Sequence, residues 1–167
     1  YSVDHHEGQF FILTNWQAVN FRIMETAAAA PARLNWKEWL AHRPEVKLEG
    51  LDIFKNNVIV YERSNGNTDI HIFDLQNHVD HRIDFGETVY TSSGGANPEY
   101  DSEVLRFGFT SLLTPATVYD YNMRTHTREL KKQQEVLGGY DKTHYVSERV
   151  FATAKDGAKI PISLVYK

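Results

Sequence analysis

The chain has 167 residues, which is room for about one domain of ordinary size. Hydrophobic residues make up 41% and charged residues 24%, so the composition supplies a core and excludes intrinsic disorder. The net charge of -4 offers no basic surface for nucleic acid, and the absence of cysteine excludes disulfide scaffolds and Cys nucleophiles. No apolar run reaches the roughly 20 residues of a membrane helix, so we expect a soluble protein without nucleic-acid or membrane partners.

Short runs rich in Val, Ile, Phe and Tyr alternate with clusters of Asn, Gly, Asp and Pro, a pattern typical of short antiparallel strands. Asn65-Gly66 and Asp156-Gly157 lie between apolar flanks and predict hairpin turns, because such turns require positive φ angles. The predicted strands are, in chain order, Phe10 to Thr14, Phe21 to Glu25, Val58 to Arg63, Asp69 to Leu75, Val104 to Thr110, Thr117 to Asn122, Tyr145 to Ala154 and Lys159 to Tyr166.

One helix is predicted, from Trp36 to about Ala41. Asn35 is placed to cap its free amides, Glu38 completes a capping-box pattern, and Pro44 follows soon after the predicted end. The helix is about two turns long, and we expect it to be a surface excursion from an otherwise all-β chain.

Internal repetition is the most informative pattern in the chain. A shift of 46 residues places Val58 on Val104 and Asp74 on Asp120, and a shift of 48 places Phe10 on Val58. A repeat of 46 to 49 residues lies in the range of the four-stranded blades of β-propellers. We therefore predict an all-β fold, a partial β-propeller of about three four-stranded antiparallel blades with a C-terminal β-hairpin.

The ends of the chain favour a segment of a longer protein. The first residue is Tyr1 rather than Met, and the last residues form a strand-like run with nothing after it. An incomplete set of blades would leave strand edges and apolar surface unpaired, so we expect the isolated chain to self-associate.

The residues reveal no catalytic, metal-binding or cofactor-binding constellation. The stretch 92–95 lacks the flanking glycine of a nucleophile elbow and is interpreted as a flexible loop. Asp74 and Asp120 are predicted to bind nearby backbone amides rather than to form an acid–base pair. Two groups contain metal-ligand residue types, but their spacing matches no established site, so solvated turn residues are favoured; the groups are Asp4, His5, His6, Glu7 and His78, Asp80, His81.

Three stretches of the C-terminal part resemble the oligopeptidase B (protease II) branch of the prolyl oligopeptidase family of serine peptidases. They are SLLTPATVYD at 111–120, KQQEV at 132–136 and YVSER at 145–149. The segment AKDGAKIPISLVY at 154–166 is similar to the stretch that leads into the hydrolase domain of that family. Short earlier matches such as 13–15, 20–22 and 42–44 extend the likeness over nearly the whole chain.

The resemblance implies a cytoplasmic parent enzyme with a seven-bladed propeller and an α/β-hydrolase domain, without a cofactor. Residues 1–137 would form late propeller blades, 138–144 a connector and 145–167 the first hydrolase strands. The Ser-His-Asp triad of the family comes after this segment, so the chain alone would be inactive and would gate the access of peptide substrates. The resemblance to the oligopeptidase B branch further implies cleavage of short peptides after Lys or Arg by acyl transfer, with the hydrolase domain as the partner of the propeller.

Gly138 and Gly139 fit a hinge in this connector, because glycine permits large φ and ψ changes at low cost, although an ordinary turn explains the pair equally well. The rival interpretation of the chain is a non-catalytic propeller or sandwich module that binds protein or carbohydrate. In that case Trp16, Trp36 and Trp39 would be stacking surfaces, although packing is the simpler role for them.

Overall fold

A computed structural model describes the protein over residues 1–167. The chain forms fourteen β-strands and two 3-10 helices, Arg33–Asn35 and Lys142–His144. None of its helices has the length and apolar character that crossing a bilayer requires. The residues separate into two compact units, one comprising 1–64, 69–83 and 98–103, the other comprising 65–68, 84–97 and 104–167.

Three antiparallel sheets have four strands each, in which sequential strands are neighbours. The first sheet consists of β1 (Ser2–His6), β2 (Gln9–Thr14), β3 (Arg22–Ala27) and β4 (Lys37–Leu40). The second consists of β5 (Lys47–Ile53), β6 (Asn57–Ser64), β7 (Asn67–Asp74) and β8 (Val79–Arg82). The third consists of β9 (Tyr90–Gly94), β10 (Val104–Ser111), β11 (Thr117–Asn122) and β12 (Thr127–Gln133).

A separate two-stranded hairpin follows, formed by β13 (Val146–Thr153) and β14 (Lys159–Tyr166). The predicted architecture of three four-stranded sheets and a C-terminal hairpin is therefore confirmed. The predicted strands correspond to the two central strands of each sheet and to this hairpin. The outer strands had been missed individually because many of their residues are polar and exposed, so they lack a clear apolar alternation.

Apolar side chains from the central strands form the cores. The core of the first unit contains Phe11 and Ile23 of the first sheet together with Leu48 and Val58 of the second. Burial of these side chains joins the two sheets, since each fully buried aliphatic side chain contributes about 1.5–3 kcal/mol. In the second unit the rings of Phe85 and Phe109 stack with centroids 5.0 Å apart, and the rings of Phe107 and Tyr119 lie 5.5 Å apart.

Both predicted hairpin turns are present, with one difference in their backbone. Asn65 and Gly66 have φ of 49° and 81°, as a two-residue turn with two left-handed positions requires. In the second hairpin only Gly157 has a positive φ, of 88°, and the Asp156 carboxylate instead accepts the Ala158 amide at 3.0 Å. Asp156 therefore supports its turn as a hydrogen-bond acceptor.

The predicted helix from Trp36 to Ala41 is wrong. Lys37–Leu40 form β4, which pairs with β3 through Lys37 opposite Glu25 and Leu40 opposite Ile23. The Asn35 side chain donates to the carbonyl of Ala30 at 3.0 Å, so it does not cap a helix. Tertiary packing overrides the local capping pattern, because the strand satisfies the outer backbone groups of β3 and brings apolar side chains to the core.

The prediction of a flexible loop at 92–95 is also wrong. Ser92 and Ser93 belong to β9 and pair with Phe109 and Gly108 of β10. Ser92 is buried, and its hydroxyl donates to the Thr68 carbonyl at 2.6 Å. Serine and glycine suit this strand because the two backbones approach closely: a Cβ at Gly108 would lie 2.9 Å from the Ser93 hydroxyl.

Candidate functional site

The connector between the third sheet and the hairpin carries the predicted hinge residues. Gly138 and Gly139 have φ of 86° and 83°, in the left-handed region that favours glycine. No atom lies within 4 Å of the Cβ that another residue would place at either position. The glycines therefore meet a backbone requirement rather than a packing requirement, and their role as a hinge stays a prediction.

Residues on the C-terminal side of these glycines are fastened to the third sheet and its loops. The Tyr140 hydroxyl donates to the Leu113 carbonyl at 3.1 Å, and Lys142 Nζ lies 4.0 Å from Glu87 Oε1. Glu87 Oε1 also accepts the hydroxyl of Thr114 at 2.5 Å. These contacts border a cleft of about 380 Å³ between the connector and the β10–β11 loop.

Asp141 shapes the next turn of the connector. Its carboxylate accepts the Thr143 amide at 2.9 Å and the Thr143 hydroxyl at 2.6 Å, capping the 3-10 helix Lys142–His144. These hydrogen bonds stabilise the ionised form and lower the pKa of the Asp141 carboxyl. The chain therefore reaches β13 with a defined direction even though its side chains here are exposed.

The hairpin has two unlike faces. Directly opposite residues in an antiparallel pair project to the same side, and the pairs Val146–Tyr166 and Val150–Ile162 define one face. This face, called the apolar face below, carries six exposed apolar side chains together with Glu148 and Ala152; the six are Val146, Val150, Ile160, Ile162, Leu164 and Tyr166. The opposite face is mixed and carries Arg149 together with the exposed side chains of Phe151 and Val165. A two-stranded hairpin is marginally stable alone, so the apolar face has the character of a surface that packs against further structure.

A buried carboxylate forms a second polar centre, in the second sheet and the segment that precedes it. Glu62 of β6 has 1% of its surface exposed, and its Oε2 accepts Arg82 Nη2 at 2.8 Å. Its Oε1 accepts a hydrogen bond from Arg43 and lies 3.0 Å from His71 Nδ1. Asp80 lies at the other end of the imidazole, 2.6 Å from His71 Nε2.

Electrostatics explain how this charge is tolerated in the core. Burial opposes the ionisation of Glu62, but hydrogen bonds from His71, Arg43 and Arg82 outweigh it and lower the pKa to about 2. Every oxygen of the carboxylate already has a protein partner, so Glu62 is not free to exchange a proton with a substrate. The cluster is therefore a structural ion-pair network.

Sequence reasoning missed this cluster, since its members are far apart in the chain. The one signal was a glutamate at an inward position of β6, after a run of buried Val and Ile residues. A carboxylate in such a position requires a cationic partner. The sequence did not show which of its arginines and histidines would supply one.

The two groups of metal-ligand residue types, for which the sequence favours solvated turn positions, have other partners in the structure and do not converge on one point. His5 Nε2 accepts the Gly8 amide at 3.1 Å, whereas His6 Nδ1 lies 2.9 Å from the Tyr100 hydroxyl. The Asp80 carboxylate is hydrogen-bonded to His71 Nε2. Burial, with a smaller contribution from the charge of Asp52, raises the pKa of Asp4. The predicted turn placement is correct for Glu7 and His78. It is wrong for the strand residues Asp4, His5 and His6 of β1 and Asp80 and His81 of β8.

Asp74 and Asp120 have different roles. Asp74 accepts the backbone amides of Gln76 and Asn77 at 2.8 and 2.9 Å, which confirms its predicted local role. Asp120 instead forms two hydrogen bonds with Arg106, at 2.7 and 2.8 Å, so the prediction for Asp120 is wrong. Asp120 lies within β11 directly opposite Arg106 of β10, so its carboxylate meets the guanidinium rather than the amides of a turn.

The three tryptophans separate into a packing residue and a surface pair. Trp39 contacts Phe11 and Phe73 with ring centroids 5.2 and 5.0 Å apart, which is a packing role. Trp16 and Trp36 meet edge to face at 6.4 Å near the surface. The structure therefore does not place the three indoles on one stacking surface.

Comparison with known proteins agrees with this geometry. Residues 1–134 match the family described as prolyl oligopeptidase, N-terminal β-propeller domain. The dipeptidyl aminopeptidase BI of Pseudoxanthomonas mexicana is 39% identical over 100% of this chain and 23% of its own length. Protease 2 of Moraxella lacunata is 29% identical over 99% of this chain and 24% of its own length.

Solved structures show the same fold. Oligopeptidase B from Trypanosoma brucei, in a closed form with covalently bound antipain, superposes with a TM-score of 0.86 at 28% identity, covering 99% of this chain and 24% of that one. Oligopeptidase B from Leishmania major gives 0.85 at 31% identity, with 99% and 24% covered. The chain thus spans about a quarter of the length of these relatives. Its three sheets match propeller blades, and the chain belongs to the prolyl oligopeptidase family as a portion of the N-terminal β-propeller domain.

Proposed function

We propose that the chain is the late-propeller and connector portion of a cytoplasmic serine oligopeptidase of the oligopeptidase B type, which cleaves short peptides after Lys or Arg. The observation that carries the proposal is the family match over residues 1–134, followed directly by the connector and a hairpin with one exposed apolar face. The propeller part supplies walls that restrict substrate entry. The acyl transfer takes place on a Ser-His-Asp triad of the hydrolase domain, outside this chain, and needs no cofactor.

Two features of the connector support a gating role. Gly138 and Gly139 adopt left-handed backbone, and the segment on their C-terminal side is held by contacts such as that of Tyr140 with Leu113. A hinge works when a short segment absorbs the change in φ and ψ while the bodies on either side stay rigid. Residues 138–144 thus join the propeller to the hydrolase domain, whose first strands are residues 145–167.

A second specificity is favoured by one relative. The protein from Pseudoxanthomonas mexicana, at 39% identity, is named a dipeptidyl aminopeptidase. An enzyme of that kind releases dipeptides from a free amino terminus, whereas an endopeptidase accepts a blocked one. The two specificities share the propeller fold and the acyl-transfer chemistry, and they differ in whether a charged amino group must be bound.

A substrate comparison on the full-length protein tests both proposals. We expect turnover of an N-blocked arginyl amide and covalent labelling of a single serine outside residues 1–167 by a fluorophosphonate. A strong preference for an unblocked dipeptidyl-arginyl amide would assign dipeptidyl aminopeptidase activity instead. Absence of both hydrolysis and labelling would overturn the peptidase proposal and favour the binding-module interpretation.

A matched control uses the 167-residue chain alone. We expect it to hydrolyse neither substrate at any concentration, because it contains no triad. Hydrolysis by the purified chain would contradict the placement of the reactive serine in a separate domain.

A further inference from the structure

We propose that Arg149 is a positioning residue that fastens the β13–β14 hairpin to the β6–β7 turn, and that this turn is the docking surface for the segment following the propeller. The bond at its centre runs from Arg149 Nη2 to Asn67 Oδ1 over 2.7 Å. The two residues are 82 positions apart in the chain, so the contact is tertiary. The location of this contact between two domains rests on the proposed function, whereas the contact itself does not.

Asn67 is held in place to receive the guanidinium. Its side-chain amide donates to the Thr88 carbonyl at 2.9 Å, and its Oδ1 also accepts the Tyr90 amide at 3.3 Å. Asn67 follows directly after the two-residue turn and opens β7. The acceptor is therefore fixed by the start of β9 before Arg149 is added, which lowers the entropy lost when the bond forms.

Gly66 supplies the space for Arg149. A Cβ at position 66 would collide with Arg149 Nη1 and lie 3.1 Å from Cζ. The positive φ of 81° already favours glycine in this turn, but that requirement concerns the backbone alone. The guanidinium occupies the volume that any larger residue would fill, so the turn and the arginine fit each other in shape as well as through a hydrogen bond.

Partial burial of Arg149 increases the free energy that its hydrogen bond to Asn67 contributes. The side chain is half-buried and its Nε is buried without a partner, so the guanidinium has already lost much of its water. A hydrogen bond from a charged donor contributes about 1.5–3 kcal/mol, and more is lost when a buried charge is left unpaired. Arg149 lies on the hairpin face opposite to Val150 and Ile162, so docking leaves the apolar face available.

A consequence for the connector follows. The hairpin is attached to the rest of its unit covalently through residues 134–145 and non-covalently through Arg149 and Asn67. Bending at Gly138 and Gly139 would move the hairpin relative to the β6–β7 turn and would break this bond, together with the contacts of Tyr140 and Lys142 with the third sheet and its loops. The Arg149–Asn67 contact is therefore a latch on any movement at the glycines.

A double-mutant cycle on the full-length protein tests the latch, with amide hydrogen exchange in residues 146–153 as the readout. We expect Arg149→Ala and Asn67→Ala each to speed exchange there about tenfold, and the double variant to exceed the larger single effect by less than about twofold. Arg106→Ala is the matched control, because this substitution also removes an arginine, but the ion pair that is lost joins Arg106 to Asp120 within the third sheet. This control should leave exchange in 146–153 unchanged.

A further variant guards against a simple folding defect. Arg149→Lys keeps the positive charge and a donor for Asn67 Oδ1, so we expect exchange in 146–153 to stay closer to that of the native protein than in Arg149→Ala. Unchanged exchange in Arg149→Ala, multiplicative effects in the cycle, or exchange in Arg149→Lys as fast as in Arg149→Ala would each overturn the latch. Because exchange is measured without substrate, these results are independent of the peptidase activity on which the proposed function depends.

Discussion

Glu62 shows how one buried residue can organise its surroundings. Its carboxylate joins Arg43, which precedes the second sheet, to His71 and Arg82 of β7 and β8. Removing one member of such a network leaves the others with uncompensated charge, which costs more than the net value of the ion pairs themselves. Replacement of Glu62 should therefore destabilise the fold.

We expect Glu62→Gln to lower the free energy of unfolding by about 3 kcal/mol, because Arg43 and Arg82 lose their counter-charge. Urea unfolding followed by tryptophan fluorescence measures the change. Glu49→Gln is the matched control, since Glu49 pairs with Arg63 at the surface and its loss should cost less than about 1 kcal/mol. Equal effects of the two substitutions would contradict the network.

The pH dependence of stability should follow from the same residue. The pKa of Glu62 is lowered from an ordinary 4.5 to about 2 in the folded protein. A lowered pKa gives stability that is complete above the unfolded value and is lost as the pH falls from 4.5 towards 2. The ionised carboxylate contributes about 3 kcal/mol to the free energy of unfolding. The difference in unfolding free energy between the native protein and Glu62→Gln should therefore decrease as the pH falls from about 6 to about 2.5. A constant difference would show that the charge of Glu62 is not responsible.

Equivalent turns connect the third strand to the fourth in the second and third sheets, between β7 and β8 and between β11 and β12. Asp74 accepts the amides two and three positions ahead, and Asn122 does the same with Arg124 and Thr125 at 3.0 and 2.8 Å. His78 and His126, four residues further on in each turn, have φ of 56° and 59°. The turns therefore align at a spacing of 48 residues, so Asn122 rather than Asp120 is the counterpart of Asp74.

This equivalence predicts how Asn122 tolerates substitution. Asn122→Ala removes the acceptor for two turn amides and should cost about 1 kcal/mol of unfolding free energy. Asn122→Asp recreates the Asp74 turn and should cost less than about 0.5 kcal/mol. Thermal unfolding of both variants provides the measurement. A larger loss for Asn122→Asp than for Asn122→Ala would mean that the two turns are not equivalent.

At the scale of the whole molecule, the exposed apolar face of the hairpin is the surface through which we expect the isolated chain to associate with itself. Six large apolar side chains share it, among them Val150 and Ile162, which lie directly opposite each other. Apolar surface of this kind is normally covered by other protein. Self-association of the isolated chain remains a prediction, and this face is the surface we expect to carry it.

Light scattering of the purified chain over a range of concentrations tests the prediction. We expect the apparent mass to rise with concentration, and Ile162→Lys to reduce that rise because a charge in the apolar face must be desolvated on association. Val19→Lys is the control, since Val19 is 82% exposed and lies far along the chain from the hairpin. A native chain that stays monomeric at high concentration would contradict the expectation.

Local patterns in the sequence were enough for the central strands, the hairpin turns and the blade-length repeat. Alternation of apolar residues, turn dipeptides such as Asn65-Gly66 and repeated spacing each report on the residues that carry them. The resemblance at residues 111–120 and 145–149 pointed to the family, which the match over 1–134 established. The hinge role of Gly138 and Gly139 and the domain boundaries around them stay predictions.

Tertiary structure alone decided the features that depend on partners distant in sequence. Trp36 to Ala41 has a helix-capping pattern, yet β3 needed an outer strand and the core needed Trp39, so these residues became β4. The partners of Glu62 and the meeting of Arg149 with Asn67 bridge 9 to 82 positions. A sequence states which side chains carry charge, but the free energy of burying a charge depends on which partners the folded chain brings to it.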